Sequence, residues 1–215
     1  LISIIEQFNN GKKKEALINL DQILKLDNQN KDLLLVKVKF LLNMERTTEA
    51  INELLKILSI SPKNIEALDL LYSNLIKIKN YDQAEIYLDR FLNTKNSDYK
   101  SLRDKAYLLY LKKNIINSEK YIKNALKINN KDVFGLNIFG LIKLQQNRSK
   151  EAIKIFKEAI SIDADYIDSY NNIGKCYINL ENLTKAYSYF KKAYKKNLRS
   201  SLAIINIANV LSLKG

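Results

Sequence analysis

The sequence lacks several residue types on which enzymes and disulfide-stabilised proteins depend. Its 215 residues include no histidine, one cysteine, one proline and five glycines. Without histidine, the commonest general base and metal ligand is missing, and so is every catalytic triad that contains it. The glycines are dispersed, so the sequence has no glycine-rich phosphate-binding loop. Because Cys176 has no second cysteine to pair with, we expect it to be buried as a small hydrophobic residue.

The scarcity of glycine and proline also favours an all-α fold. It leaves little material for β-hairpin turns, whereas the strong helix formers Leu and Lys are abundant and no period-two alternation persists. No stretch approaches the roughly eighteen apolar residues that a membrane span requires, and the start of the chain does not resemble a signal peptide. We therefore expect no membrane span in this sequence, and the single cysteine is compatible with a cytoplasmic location.

A repeat of 34 residues runs through the sequence. One register of this repeat holds a small residue every time, and two further registers, four and seven positions later, are apolar throughout. The three registers hold Ala16, Ala50, Ala84, Ser118, Ala152 and Ala186; Leu20, Leu54, Leu88, Ile122, Phe156 and Phe190; and Ile23, Ile57, Phe91, Ala125, Ala159 and Ala193. A small residue at a fixed position is typical of two helices that cross closely, with larger side chains filling the flanking grooves.

The three registers above form one apolar stripe. From the second repeat onward, another apolar stripe, here called the second stripe, lies upstream of it in each repeat and predicts a further helix, which comes first in each pair. Its members are spaced by four and three residues, which places them on one face of a helix. The stripe comprises Leu34, Val38 and Leu41; Leu68, Tyr72 and Leu75; Leu102, Ala106 and Leu109; Leu136 and Gly140; Tyr170, Gly174 and Tyr177; and Ile204, Ala208 and Leu211. A mostly polar break separates the two stripes, so each unit is predicted to consist of a helix, a short turn and a helix.

The period, the two-helix unit and the small and large positions resemble the tetratricopeptide repeat family. Residues 167–200 are most similar to the family pattern, with Tyr170, Ile173, Gly174, Tyr177, Leu183, Ala186, Phe190 and Ala193 at the expected places. Elsewhere Ser118 replaces an alanine, and Lys37 and Lys105 replace apolar residues. The resemblance implies an all-α, right-handed α-solenoid (superhelix) of antiparallel helix pairs with about six and a half repeats. A single array over 1–215 would consist of repeats at about 1–30, 31–64, 65–98, 99–132, 133–166 and 167–200 and a half repeat at 201–215.

The two ends of the sequence suggest that it is an excerpt of a longer chain. The first residue is Leu1 rather than Met, and it falls inside a predicted helix. The last helix carries more apolar residues than its packing against the preceding helix pair requires, namely Ile205, Ile207, Val210 and Leu213. Since terminal repeats normally have a polar outer face, we expect this end to be covered by further chain or by a second copy through end-to-end self-association.

The carboxylates and the net charge do not indicate an activity. Asp163 and Asp165 lie close together, but at the end of a second helix, where a solvated turn is more common than an acid–base pair. We therefore expect no enzyme, no cofactor and no metal site in this sequence.

Lys and Arg number 36 against 23 Asp and Glu, a net charge of +13 that favours acidic partners. The basic residues are nevertheless scattered over nearly every repeat, and their densest run is Lys185, Lys191, Lys192, Lys195, Lys196 and Arg199. Nucleic-acid binding calls for aligned basic residues with interleaved aromatic residues, and several tyrosines here fall in the apolar stripes instead. The sequence therefore disfavours a nucleic-acid partner and leaves open whether the charge is functional or compositional.

The family resemblance also implies a partner-binding groove lined by the first helices. Its residues lie one, two and five places after the first residue of the second stripe. The candidate partner-binding residues are Arg103, Tyr107, Asn137, Asn171, Asn172, Lys175, Asn206 and Asn209. Asparagine both donates and accepts hydrogen bonds, so a row of asparagines can bind the backbone of an extended peptide. The alternative is that asparagine is simply abundant and tolerated on a wet surface. A clamp for a terminal carboxylate is not predicted, because the positions that would need cations hold none.

Two functions remain open at this point. The first is a non-catalytic protein-interaction scaffold or adaptor that binds a peptide or partner segment in the groove. The alternative is the substrate-recruiting arm of an enzyme, such as a glycosyltransferase, whose catalytic domain lies outside this sequence.

Overall fold

The structure of the protein, a computed structural model, describes residues 1–94 and 98–214. These residues form thirteen α-helices and no β-strand, which confirms the predicted all-α fold. The chain divides into two compact units, Leu1–Asn96 and Ser97–Gly215. The helices of the first unit are α1 (Ile2–Asn9), α2 (Lys13–Leu26), α3 (Lys31–Asn43), α4 (Thr47–Ile60), α5 (Ile65–Lys77) and α6 (Tyr81–Thr94). Those of the second unit are α7 (Tyr99–Leu111), α8 (Ile115–Ile128), α9 (Val133–Gln145), α10 (Ser149–Ile162), α11 (Ile167–Asn179), α12 (Leu183–Lys196) and α13 (Ser201–Lys214).

In three of the six described helix pairs, the first helix starts at a side-chain capping residue that recurs with the repeat. The Oδ1 atoms of Asn30 and Asn64 accept hydrogen bonds from the backbone N–H three residues later, and Asp98 does the same at the start of α7. Such caps satisfy backbone donors that would otherwise have no partner at a helix N-terminus. Asp132 occupies the same place before α9, but its side chain makes no capping bond.

Every turn within a helix pair reverses the chain through one residue in the left-handed backbone conformation. The positive φ values fall at Gly11, Glu45, Lys79, Lys113, Asn147 and Glu181, which follow one another at the repeat interval. Only the first of these residues is a glycine, the type that adopts this conformation without a steric cost. The turn geometry is therefore set by its place in the repeat and not by a glycine signal.

The small-residue register lies where the helices of a pair cross, as predicted. Ala16, Ala50, Ala84, Ser118, Ala152 and Ala186 have no exposed surface. At Ser118 the hydroxyl would be costly to bury alone, but Oγ donates a hydrogen bond of 2.7 Å to the backbone oxygen of Ala106 on the preceding helix. The replacement of alanine by serine is thereby accommodated in the crossing.

In two repeats of the second unit a glycine faces a phenylalanine ring. A Cβ atom added to Gly140 would lie 2.4 Å from Phe156 Cε1, and one added to Gly174 would lie 2.4 Å from Phe190 Cε1. Both rings are fully buried. The glycine is therefore what allows a large aromatic residue to fill the space between these helices.

Lys37, which stands at an otherwise apolar position, is accommodated by two carboxylates within the first unit. Its Nζ lies 2.8 Å from Asp21 Oδ1 on α2 and 2.7 Å from Glu53 Oε1 on α4. Partial burial alone would lower the pKa of Lys37, but the bonds to the two carboxylates raise it above the usual value. The lysine thus connects two second helices instead of filling the core.

The first helices of the second unit lie closer to one another than its second helices do. In addition to the contacts of each helix with its neighbours in sequence, α9 contacts both α7 and α11, and α11 contacts α13, whereas contacts between consecutive second helices are marginal at most. We call the side formed by α7, α9, α11 and α13 the inner face, and the exposed side of α8, α10 and α12 the outer face. The inner face is therefore the concave side of this unit.

Candidate functional site

All eight predicted partner-binding residues belong to first helices of the second unit. Arg103 and Tyr107 lie on α7, Asn137 on α9, Asn171, Asn172 and Lys175 on α11, and Asn206 and Asn209 on α13. The structure brings six of them into contact networks and leaves Lys175 and Asn209 exposed. Their prediction as partner-binding residues remains a prediction, but their geometry defines what they can bind.

Four of the asparagines form two hydrogen-bonded pairs across neighbouring repeats. Asn172 Nδ2 donates to Asn137 Oδ1 at 2.9 Å, and Asn206 Nδ2 donates to Asn171 Oδ1 at 3.3 Å. In both pairs the partners are 35 residues apart, one more than the repeat. The four side chains are 2% to 9% exposed. The asparagines therefore form the floor of the inner face instead of a fully solvated row.

The paired amides keep hydrogen-bonding capacity for a ligand. An asparagine amide offers two N–H donors and two acceptor lone pairs, and each pair uses one donor and one acceptor. Among the described side chains, Ser169 Oγ is the one fully enclosed polar atom without a hydrogen bond. Unused amide atoms such as Asn137 Nδ2 and Asn172 Oδ1 therefore retain contact with solvent, where a bound peptide group could replace water.

The α7 end of the inner face is a compact charged and aromatic cluster. The Arg103 guanidinium donates to Asp104 Oδ1 at 3.0 Å and lies 3.4 Å from Asp132 Oδ2. It also stacks over the Phe134 ring at 5.0 Å, and Tyr107 contacts the same ring edge to face at 5.7 Å. Two carboxylates thus surround the single cation of this cluster, so Arg103 is already paired and does not present a free positive charge.

The sequence pattern missed Asp132, Phe134 and Tyr166 as members of this region. The side chain of Asp132 turns to Arg103, which explains why it does not cap α9. Burial, followed by the negative charges of Asp168 and Asp132, raises the pKa of the Tyr166 phenol, which therefore stays protonated. A signal was available, since 132 and 166 occupy the same register as the capping residues 30, 64 and 98.

A second charged cluster joins α8 and α9. The Lys143 side chain is 5% exposed, and its Nζ lies 2.7 Å from Glu119 Oε1, while Gln146 Nε2 donates to Glu119 Oε2 at 2.7 Å. Burial alone would raise the pKa of Glu119, but hydrogen bonds from Lys123, Lys143 and Gln146 lower it to about 2. Lys143 stands in the apolar stripe of the repeat, and this carboxylate is what allows a lysine there.

The single thiol of the chain is enclosed, and the carboxylates of the described residues do not gather into a group that could hold a metal ion. Cys176 is fully buried as predicted, and burial raises the pKa of its thiol to about 12, so it remains protonated and poorly nucleophilic. Within residues 1–94 and 98–214, no group of three or more Cys, Asp or Glu residues could hold a metal ion. No helix of this described part is long and apolar enough to span a membrane.

The last helix carries exposed apolar residues, but not all of those named from the sequence. Val210 is fully buried against Ala186 and Phe190, so the prediction that it is one of the apolar residues not needed for packing was wrong. Ile205 and Leu213 are 54% and 60% exposed. These exposed side chains are compatible with end-to-end self-association, which remains a prediction.

Comparison with known proteins agrees with this architecture. Residues 140–180 match the family described as TPR repeat, and residues 167–195 match the family described as Tetratricopeptide repeat. The chain is 26% identical to human Tetratricopeptide repeat protein 6 over 164 residues, which cover 76% of this chain and 31% of that protein. The matched region thus spans less than a third of that relative.

Two solved structures show the same fold at low sequence identity. The structure of PilW, a widely conserved type IV pilus biogenesis factor, has a TM-score of 0.77 at 19% identity, with 97% of this chain and 94% of that chain covered. The structure of YrrB, a TPR protein with an unusual peptide-binding site, has a TM-score of 0.65 at 17% identity, with 86% and 96% covered. The described helices therefore define an all-α helical repeat solenoid.

Residues 140–195 thus match models of the tetratricopeptide repeat, and the described helices share their fold with solved proteins that include a TPR protein. Proteins of this family are generally protein-interaction scaffolds without catalytic activity.

Proposed function

We propose that the inner face of the second unit binds an extended peptide segment of a protein partner and that the chain acts as a non-catalytic scaffold. The observation that carries the proposal is the presence of two asparagine pairs in consecutive repeats, Asn137 with Asn172 and Asn171 with Asn206. Each pair is fixed by an internal hydrogen bond and keeps spare donors and acceptors. Fixed amides of this kind suit the alternating N–H and C=O groups of a peptide backbone.

Exposed residues at the rim complete the proposed site. Lys175 lies five positions after Tyr170 on α11, and Asn209 occupies the equivalent place on α13. Both are exposed, so they can contact a ligand without first breaking an internal bond. The protonated phenol of Tyr166 and the exposed edge of Phe134 lie towards the α7 end, where they favour an apolar or aromatic side chain of the ligand. YrrB, a structural neighbour described as having an unusual peptide-binding site, supports this class of ligand without identifying it.

The proposal is tested with peptides selected from a random twelve-residue phage library on the purified chain. The affinity of a selected, fluorescein-labelled peptide is measured by fluorescence polarisation for the wild type, for Asn172→Ala and for the rim variant Lys175→Ala/Asn209→Ala. Each lost hydrogen bond is expected to weaken binding about two- to tenfold. The rim residues are exposed, so the rim variant should fold normally even if the loss of an internal pair in Asn172→Ala reduces stability.

The matched control removes the same side chains from the outer face, as Asn124→Ala/Lys154→Ala, and should bind like the wild type. A backbone-recognition site further requires that N-methylation of alternate peptide bonds in the ligand weakens binding more than alanine substitution of its side chains does. The proposal fails if both inner-face variants are folded and bind the selected peptides as tightly as the wild type. It also fails if the outer-face control loses as much affinity as the rim variant.

A further inference from the structure

The outer face of the second unit carries a concentrated positive charge on α12. The helix, Leu183–Lys196, contains five lysines and no aspartate or glutamate. The preceding second helix, α10, alternates its lysines with Glu151 and Glu158. The charge of α12 is therefore not the average of the chain composition but a local excess of one sign.

Most of these cations have no acidic partner. Lys196 Nζ lies 2.8 Å from Asp165 Oδ1. Among the residues that the structure describes, Lys185, Lys191, Lys192 and Lys195 form no ion pair. Like charges on one helix repel each other and lower its stability slightly, so an anionic partner would relieve a cost that the isolated chain bears.

Aromatic rings hold several of the ammonium groups in place. Lys192 Nζ lies 4.8 Å from the ring centroid of Tyr189, and Lys191 Nζ lies 5.9 Å from that of Tyr187. A cation over a ring face is attracted by the ring quadrupole while its N–H donors remain available on the other side. Because these contacts already restrict the lysine side chains, the side chains lose less conformational entropy on binding. This favours a ligand whose charged groups contact the ammonium groups directly.

The lysines surround a shallow depression of about 370 Å³ in the outer face. Its lining consists of Thr184, Tyr187, Ser188, Lys191, Lys192 and Lys195. The lining contains three side chains with a hydroxyl group and no carboxylate. It offers hydrogen-bond donors and positive charge together, which is the chemistry that recognises carboxylate groups.

We infer that the outer face of α12 is a second binding surface, which takes an extended protein segment rich in aspartate and glutamate. A protein ligand is favoured over a nucleic acid because Lys191 and Lys192 lie over the rings of Tyr187 and Tyr189, and Tyr189 also stacks on Tyr177, which leaves less ring surface for base stacking. It is favoured over a membrane because no Leu, Ile, Val or Phe side chain of α12 is exposed for insertion into lipid. The surface lies on second helices and is separate from the asparagine pairs of the inner face.

The test compares three probes on the purified chain by fluorescence polarisation or co-sedimentation. The probes are a labelled peptide of twelve glutamates, an oligothymidylate of twelve nucleotides, and vesicles of phosphatidylcholine with phosphatidylserine. The variant Lys191→Gln/Lys192→Gln/Lys195→Gln removes three charges from α12. The matched control Lys150→Gln/Lys154→Gln/Lys157→Gln removes three exposed charges from α10 on the same face.

We expect the glutamate peptide to bind the wild type in a salt-sensitive manner, and the α12 variant to bind it about tenfold more weakly. The α10 variant should lose about twofold or less, and Asn172→Ala should bind the peptide like the wild type, which separates this surface from the inner face. Equal losses in the α12 and α10 variants would overturn the inference, because the net charge alone would then explain binding. Tighter binding of the oligothymidylate or the vesicles, with the same dependence on α12, would overturn it in favour of that ligand class.

Discussion

The contact between Gly174 and Phe190 provides a quantitative test of how the helix pairs of the second unit are packed. In Gly174→Ala the new Cβ would lie 2.4, 2.6 and 2.7 Å from three atoms of the Phe190 ring. Carbon atoms in contact are normally about 3.5–4.0 Å apart, so the ring would have to move by about 1 Å. It is fully buried in a cluster with Ala186 and Val210, so a shift of the ring would press on packed neighbours.

Two opposing effects determine how much Gly174→Ala changes the free energy of unfolding. Alanine is favoured over glycine in a helix interior by about 1 kcal/mol, whereas overpacking a filled core costs up to about 3 kcal/mol. We expect overpacking to win, so Gly174→Ala should lower the free energy of unfolding by about 2 kcal/mol. Gly135→Ala provides a comparison, since its Cβ would meet mainly the Asp132 carboxylate, so any loss of stability there would come from displacing the ion pair with Arg103 and not from displacing a buried ring.

The assay is urea denaturation followed by far-ultraviolet circular dichroism. Because repeat arrays need not unfold in a single step, the dependence of the free energy of unfolding on urea concentration is also compared between variants. Phe190→Ile should restore Gly174→Ala, since the pairing of alanine with isoleucine occurs in this chain as Ala106 with Ile122. A double-mutant cycle should therefore show a favourable coupling of at least about 1 kcal/mol. If Gly174→Ala is as stable as the wild type, or if the two changes simply add, helix propensity and not packing controls this position.

Three further predictions concern single side chains. Ser169→Ala should raise the free energy of unfolding by about 1 kcal/mol in urea denaturation, because it removes an enclosed hydroxyl without a hydrogen bond; a loss of stability would show that the hydroxyl has a partner. Because the pKa of Glu119 is lowered to about 2, its ionised form stabilises the folded state above about pH 4.5, and this contribution should be lost as the pH falls towards 2. Over that range, chemical denaturation should show a smaller loss of stability for Glu119→Gln than for the wild type, and equal pH dependence would refute the assignment. With its raised pKa, Cys176 should react with a thiol reagent only as the chain unfolds in urea, and rapid labelling of the native protein at neutral pH would contradict its burial.

Much of the fold follows from the sequence because each helix must bury one apolar stripe. The register of Ala16 and its equivalents identified the helix crossings, and the stripe that contains Tyr170 identified the first helices. These are local properties, since the faces of a helix depend only on the spacing of its residues. Ser118 was correctly placed in the crossing, but its hydrogen bond to Ala106 could not be deduced from spacing.

The candidate site was less predictable because its contacts cross from one repeat to the next. The sequence placed Asn137 and Asn172 on the same face, but the repeat interval alone would have paired each asparagine with the residue 34 positions away. The observed offset of 35 reflects how consecutive first helices are displaced against each other, which periodicity does not specify. In the same way, only the structure shows that Asp132 leaves the start of α9 to neutralise Arg103.

In each turn, the side chain of the residue with the left-handed backbone conformation is easier to change than the number of residues in the turn. Glutamate, lysine and asparagine all occupy this place, at Glu45, Lys79, Lys113, Asn147 and Glu181. One inserted or deleted residue, by contrast, would rotate the following helix by about 100° about its axis and turn its apolar stripe away from the preceding helix. Several kinds of side chain therefore fit at these turns, whereas a change in turn length would misalign the helices that follow.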